Sequence, residues 1–219
     1  MFLNNFMDAV LFDMDGVIVD TMDLHFEAGA KMLSKKGLKI TKEELRKHDS
    51  RRFNDVYKDF FDSKNDAEIE AMLDEKYRWL KSRTKGIVPI PGFFEFFFKV
   101  KGKYPLAIVS SSRKHFVEHI LKEIGEQDSF DIIVGGDQVS KGKPDPEGYL
   151  KAASLLGVQP EKCLVIEDSI NGIISAKKSG AKCVAVTTTY EKNFLLDADL
   201  IVNSLTNLTI EKADGLFDA

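Results

Sequence analysis

Four short apolar runs punctuate the chain, and each ends in polar chemistry. Ala9-Val10-Leu11-Phe12 leads into Asp13-Met14-Asp15-Gly16, and Leu106-Ala107-Ile108-Val109 into Ser110-Ser111-Ser112. Ile132-Ile133-Val134 leads into Gly135-Gly136-Asp137, and Cys163-Leu164-Val165-Ile166 into Glu167-Asp168. Runs this short, largely apolar and bounded by turn residues, predict strands buried on both faces. Helix-like stretches lie between them. That alternation predicts a parallel, doubly wound α/β sheet, because parallel neighbours need crossovers. Right-handed crossovers put the strand C-termini on one edge, where open α/β sheets bind ligands. Asp13, Asp15, Ser110, Lys143, Glu167 and Asp168, dispersed over more than 150 positions, are therefore expected to meet there.

Residues 21–85 have a different texture, with no strand-like run and with apolar positions at helical spacing. Leu24, Ala28 and Met32 mark one amphipathic helix, Val56, Phe60 and Phe61 another, and Ile69, Met72, Leu73, Tyr77 and Leu80 a longer one. Thr41 followed by Glu44 has the form of a capping box at a helix start. The pattern predicts an all-helical insert over 21–85, with 1–20 and 86–219 forming the α/β domain and hinges near Val19-Asp20 and Lys85-Gly86.

Asp13 and Asp15 stand two residues apart at the end of the first predicted strand, so both side chains can address one small volume. Carboxylates that close repel unless a cation or a proton lies between them. The pair is either a metal-assisted site or an acidic loop in water.

Taken together these segments resemble the haloacid dehalogenase superfamily, in its β-phosphoglucomutase- and phosphoglycolate phosphatase-like branch with a helical cap. Asp13-Met14-Asp15-Gly16-Val17 is similar to its first motif, Ser110 to the hydroxyl of its second, Lys143 to the lysine of its third and Glu167-Asp168 to its acidic fourth. Pro91-Gly92, Gly142-Lys143-Pro144-Asp145-Pro146 and Ile166-Glu167-Asp168-Ser169-Ile170-Asn171-Gly172 extend the likeness over nearly the whole chain. The second aspartate argues against a true dehalogenase.

The resemblance implies a Mg²⁺-dependent phosphatase acting on a small phosphorylated metabolite through an aspartyl-phosphate. Asp13 would be the nucleophile, Asp15 the general acid and base, and Lys143 the cation on the phosphoryl oxygens. Ser110 and Ser111 would bind phosphate. Asp13, Asp168 and the backbone carbonyl of Asp15 would hold Mg²⁺, with Glu167 as a ligand or just behind the ligands. The insert would be a lid that selects the substrate and excludes water. On it, Thr21 and His25 match a Thr-x-x-x-His element of the mutase branch, and Arg51 or Arg52 stands where that branch places an anion-binding arginine; Lys76 is a weaker match. The glycine usual before that arginine is absent, replaced by His48-Asp49-Ser50. Arg52 is taken as the substrate ligand. A β-phosphoglucomutase and a non-catalytic binder of phosphometabolites are the alternatives. The substrate itself is left open between sugar phosphates and phosphoglycolate-like acids.

Composition narrows the setting. With 219 residues, 43% of them hydrophobic, the chain can bury a sizeable core. A net charge of −4 gives no electrostatic footprint for nucleic acid. No run reaches the roughly 18 apolar residues of a membrane span. Asp8, and no basic residue, precedes the first apolar run, which is unlike a signal peptide. Cys163 and Cys183 are expected as small core residues at the sheet edge away from the site, unpaired, in a reducing cytoplasm.

Two signals compete. His115-Phe116-Val117-Glu118-His119 fits an H-x-x-E-H zinc-protease pattern, but Phe116, Val117, Ile120, Leu121 and Ile124 make the apolar stripe. That leaves His115, Glu118 and His119 on the opposite, solvated face. In the run from Phe93 to Phe98, the residues Phe93, Phe96, Phe97 and Val100 form a core stripe and Phe94 and Phe98 fall off it. A neighbouring helix or Leu216-Phe217 is expected to cover those two rings. A monomer is expected, rather than a weak homodimer through that face.

Overall fold

In the central strand, β1 (Ala9–Phe12), all four side chains are buried, as expected of a parallel strand covered on both faces. The structure, a computed structural model, describes residues 6–61 and 66–218. After β1 come four helices, α1 (Met22–Ser34), α2 (Lys42–Arg46), α3 (Phe53–Phe60) and α4 (Asp66–Lys81). The chain then alternates through α5 (Phe93–Val100), β2 (Leu106–Val109), α6 (Lys114–Glu123), β3 (Ile132–Val134), α7 (Glu147–Leu156) and β4 (Cys163–Glu167). It ends with α8 (Ile170–Ser179), β5 (Lys182–Val186), β6 (Leu200–Val202) and α9 (Ile210–Asp214). The strands form one parallel sheet in the order β3-β2-β1-β4-β5-β6.

The order reverses across β1 and β4, and in such sheets the crevice outside the strand ends at that reversal is where ligands bind. Register sharpens this: Phe12 is level with Ile108 on one side and Ile166 on the other. The residues after each strand therefore emerge at the same height. Asp13 N–H donates to the Ile166 carbonyl at 2.9 Å, which pins the first carboxylate beside the fourth strand.

Alternate residues of each strand feed two cores. Ala9, Leu11, Ala107, Cys163, Val165, Cys183 and Ala185 face α7 and α8, where small side chains let Tyr149, Ala152, Ala153, Ile173 and Ala176 come close. Val10, Phe12, Leu106, Ile108, Leu164 and Ile166 face α5 and α6. There Phe93, Phe96, Phe97 and Val100 are fully buried, as their spacing predicts. Both cysteines are buried and free, Cys163 at the start of β4 and Cys183 one residue into β5.

Helices α1–α4 bury Ala28, Met32, Leu33, Leu45, Val56, Tyr57, Ile69, Met72, Leu73, Tyr77 and Leu80. Thr41 and Glu44 make the reciprocal capping box at α2. The two crossings into the insert are laced together: Val19 bridges Asp15 and Pro89, and Ile90 N–H donates to the Ile18 carbonyl at 2.8 Å. The apolar core of the insert runs without a break into the α5/α6 side of the sheet.

Three expectations need correction. β6 lies in a segment with no expected strand; three apolar residues are too few to carry a periodic signal. His115 and His119 are half-buried, because α6 packs on α4: the His115 ring meets Tyr77 edge-on at 5.1 Å, and His119 Nε2 lies 2.9 Å from the Thr84 hydroxyl. Phe98 is 58% exposed and so is not covered. Phe94 is half-buried against the core and stacks on Phe98 with centroids 5.1 Å apart, while Phe217 turns inward. No helix among the described residues is long and apolar enough to cross a membrane.

Candidate active site

Gly16 ends the first motif at φ +86°, a conformation that suits glycine. A Cβ there would run into the carboxylate of Asp168 and the hydroxyl of Thr189. The missing side chain is what lets the β1 turn close onto the end of β4.

Lys143 reaches between the strands, its Nζ 2.6 Å from Asp13 Oδ1 and 2.6 Å from Glu167 Oε1, with all three groups buried. Burial opposes its charge, but the two carboxylates outweigh burial and hold the ammonium above its ordinary value. Glu167 is saturated. Oε1 accepts from Lys143 and from the Tyr149 hydroxyl at 2.9 Å, and Oε2 accepts from the N–H groups of Asp168 and Ser169 and from the Ser169 hydroxyl. Burial pushes Glu167 up, yet Lys143 and these donors bring it below its ordinary value. It is an ionised orienter of Lys143.

Asp13 and Asp168 are pushed well above the ordinary carboxylate range, first by burial. Lys143 pulls Asp13 back while Glu167 and Asp15 push it up; Glu167 and Asp13 both raise Asp168. Oxygens of Asp13, Glu167 and Asp168 all lie within 4.8 Å of one another. One ammonium does not neutralise three carboxylates at this separation, so the donor set fits a hard divalent cation. Both Glu167 oxygens are engaged, whereas Asp13, bonded to Lys143 through Oδ1, and Asp168, bonded to the Thr189 hydroxyl through Oδ2, each keep a second oxygen to offer a metal.

Asp15 points the other way, into the space under the insert. It accepts from the Thr21 hydroxyl, and the hydroxyls of Ser112 and Ser110 lie 3.3 and 3.4 Å from its Oδ2. Burial raises its pKa, opposed by the Thr21 hydrogen bond and by the charge of Lys76. His25 Nε2 lies 3.5 Å from Asp15 Oδ1, and its Nδ1 is 3.1 Å from Lys76 Nζ. An ammonium can only donate, so Nδ1 is the acceptor and the imidazole is neutral. Burial and then Lys76 accordingly hold its pKa well below the usual value.

Of the residues expected to bind substrate, Thr21 and His25 brace Asp15. Ser111 donates to the Ser50 carbonyl of the insert, and Ser110 Oγ accepts from Ser112 N–H at 3.0 Å. Arg51 lines the cavity beneath the insert, paired with Asp59 at 2.6 Å. Arg52 departs from expectation. Its five N–H donors go to Asp55, at 2.6 and 2.8 Å, and to the carbonyls of Val139, Ser140 and Gly136 at 2.7, 2.9 and 3.3 Å. With none left for an anion, it is a tether from the insert to the loop after β3. Tyr149, Ser169 and Thr189 hold the acidic residues, and of these only Ser169, an N-cap hydroxyl before α8, carries a local signal in the sequence. The H-x-x-E-H residues do not gather: among the described residues only Asp13, Glu167 and Asp168 form a cluster able to hold a metal.

A profile of the haloacid dehalogenase-like hydrolases matches residues 10–186. The chain belongs to that family. Among relatives of this hydrolase, a validoxylamine A 7'-phosphate phosphatase of Streptomyces hygroscopicus subsp. limoneus is 30% identical over 203 residues, covering 91% of this chain and 95% of that one. A phosphorylated carbohydrates phosphatase of Thermotoga maritima is 35% identical over 180 residues, covering 80% and 82%. The crystal structure of a β-phosphoglucomutase from Clostridium difficile superposes with TM-score 0.84 at 26% identity and covers 97% of both chains. The fold of the hydrolase is thus shared along nearly the whole chain.

Proposed function

We propose that this hydrolase is a Mg²⁺-dependent phosphatase that cleaves a small phosphorylated metabolite through a phosphoenzyme on Asp13. The observation that carries the reading is the placement of the buried Asp13 carboxylate against Lys143 and Asp168, with Asp15 on the same turn facing the cavity. Asp13 Oδ attacks phosphorus, the bond from phosphorus to the ester oxygen breaks, and Asp15 protonates the departing oxygen. Water then attacks phosphorus, gives its proton to Asp15, and releases phosphate and free Asp13. Burial keeps the Asp15 pKa high, so the protonated form that the first step consumes is accessible. Lys143, oriented by Glu167, draws the phosphoryl oxygens towards Asp13. Mg²⁺, held by Asp13 and Asp168 with the Asp15 carbonyl, would offset the negative charge that otherwise keeps a phosphate dianion from a carboxylate. Helices α1–α4 act as the lid.

A mutase is the second reading, favoured by Thr21 and His25 bracing Asp15 and by the likeness to β-phosphoglucomutase. Phosphate release from a panel of phosphate esters, with Mg²⁺ and with EDTA, tests the proposal. Wild type should turn over only with the metal, and Asp13→Asn should lose nearly all activity, because an amide is a poor nucleophile and a weaker ligand. Asp13→Asn at wild-type rate refutes the phosphoenzyme. Conversion of β-glucose 1-phosphate to glucose 6-phosphate faster than phosphate release replaces the phosphatase by the mutase. No turnover on any ester leaves a binding protein.

A further inference from the structure

The loop between α2 and α3 presents a buried acceptor that no donor among the described residues satisfies. Asp49 is 6% exposed, and its Oδ1 is wholly buried with no hydrogen-bond partner among the described residues, although donors of Ser50 and Tyr190 reach the carboxyl group. It lines the same cavity as Asp13, Asp15 and Lys143, and also the wider opening beside Gly16, Thr189 and Tyr190. Its backbone is held: Asn171 Nδ2 donates to the Asp49 carbonyl at 2.9 Å, and Ser111 donates to the carbonyl of Ser50. Ser50 is left-handed at φ +61°, alone in this among the non-glycine described residues. Strain of that kind persists where the surroundings enforce it and is common at ligand-binding loops.

A buried carboxylate oxygen without a donor bears its full desolvation penalty, so the cavity offers an acceptor that a ligand can fill. The cations of the insert around it differ in what they still offer. Arg51 is paired with Asp59 and Arg52 has no donor left, whereas Lys76 gives one N–H to His25 Nδ1 and lies over the rings of Phe53 and Tyr77, and Lys47 lines the outer opening. The wall of that cavity combines apolar side chains such as Met22, Phe26 and Leu45 with the unsatisfied Asp49 acceptor.

We infer that Asp49 is a specificity residue that accepts a hydrogen bond from a hydroxyl of the leaving group, so that the site selects phosphate esters of sugars and polyols over phosphorylated carboxylic acids. A hydroxyl supplies the missing donor, whereas a carboxylate has none to give and would face Asp49 as a like charge. The inference rests on the phosphatase reading above and narrows its substrate class.

The test is kcat/KM with Mg²⁺ for glucose 6-phosphate, sorbitol 6-phosphate, phosphoglycolate and p-nitrophenyl phosphate, measured for wild type, Asp49→Ala and Asp49→Asn. Wild type should prefer the better of the two hydroxyl-rich esters to phosphoglycolate by more than about tenfold. Asp49→Ala should lower that preference by roughly 10- to 100-fold, the worth of one charge-assisted hydrogen bond. Asp49→Asn, which keeps the volume and so serves if the alanine variant does not fold, should lose part of the preference by gaining on phosphoglycolate. Wild-type preference for phosphoglycolate, or an equal fall on all four esters in both variants, overturns the assignment. Turnover of p-nitrophenyl phosphate without the preference removes only the role of Asp49. No turnover of any of the four removes the phosphatase reading and this inference with it.

Discussion

Replacing Lys76 by methionine should make the protein more stable at neutral pH. Lys76 is 4% exposed, and burial lowers its pKa from 10.5 to about 8 against the attraction of Asp15, with Arg113 pushing the same way as burial. The folded pKa lies below the unfolded one, so the sign follows. Below about pH 8 the ammonium is charged in both states and folding bears the whole burial cost. Between about 8 and 10.5 the unfolded chain holds more protons, so stability rises with pH; above 10.5 the cost is gone. At about 1.36 kcal/mol per pH unit the gap amounts to roughly 3 kcal/mol. Methionine removes that cost. It also forfeits about 1 kcal/mol of attraction to the Phe53 and Tyr77 rings and leaves Asp15 without its cation. Methionine also leaves the buried His25 Nδ1 without its donor, a further cost of about 1 kcal/mol, so a net gain of about 1 kcal/mol at pH 7 follows and vanishes by about pH 10. Urea unfolding in EDTA at both pH values measures it without stabilisation by bound metal. The same variant should be slower on every phosphate ester, since Lys76 lines the cavity and its charge acts on Asp15. A variant less stable than wild type at pH 7, or a difference that does not change with pH, refutes the reasoning.

Two further predictions test how the site is held. Gly172→Ala would place a methyl group inside the Glu167 carboxylate, which five hydrogen bonds keep from moving. A loss of roughly 3 kcal/mol or more is expected, with a lower Tm by calorimetry and reduced turnover; an unchanged Tm would mean that the carboxylate is not fixed. Arg52→Met should cost about 2 to 4 kcal/mol and speed amide exchange in residues 136–140, because it cuts a buried tether between the insert and that loop. If Arg52 is instead a substrate ligand, KM will rise with stability and exchange unchanged.

Local chemistry made the sheet, the helices between residues 22 and 81 and the meeting of the acidic residues with Lys143 legible. A four-residue apolar strand that ends in a carboxylate is both a folding instruction and a site, because strand ends and ligand edge coincide in parallel sheets. Asp13, Lys143, Glu167 and Asp168 could thus be placed together from sequence, and the register of β1 with β4 brings them there. Helical spacing likewise picked out the buried faces of α1, α4 and α5.

What the sequence could not carry was the division of labour among like residues. Arg51 and Arg52 are adjacent and chemically identical; one lines the cavity and the other spends five donors on partners up to 88 positions away. Glu167 and Asp168 are both carboxylates, and only the donors supplied by Tyr149, Ser169 and Lys143 occupy both oxygens of the first, while Thr189 engages one oxygen of the second and leaves the other to offer a metal. Asp49 reads as an ordinary loop aspartate until the packing of the insert strips the water from Oδ1. Periodicity and spacing determine which residues come to the sheet edge. Which of them remain unsatisfied there is decided by hydrogen bonds between segments distant in sequence, and those exist only in the folded chain.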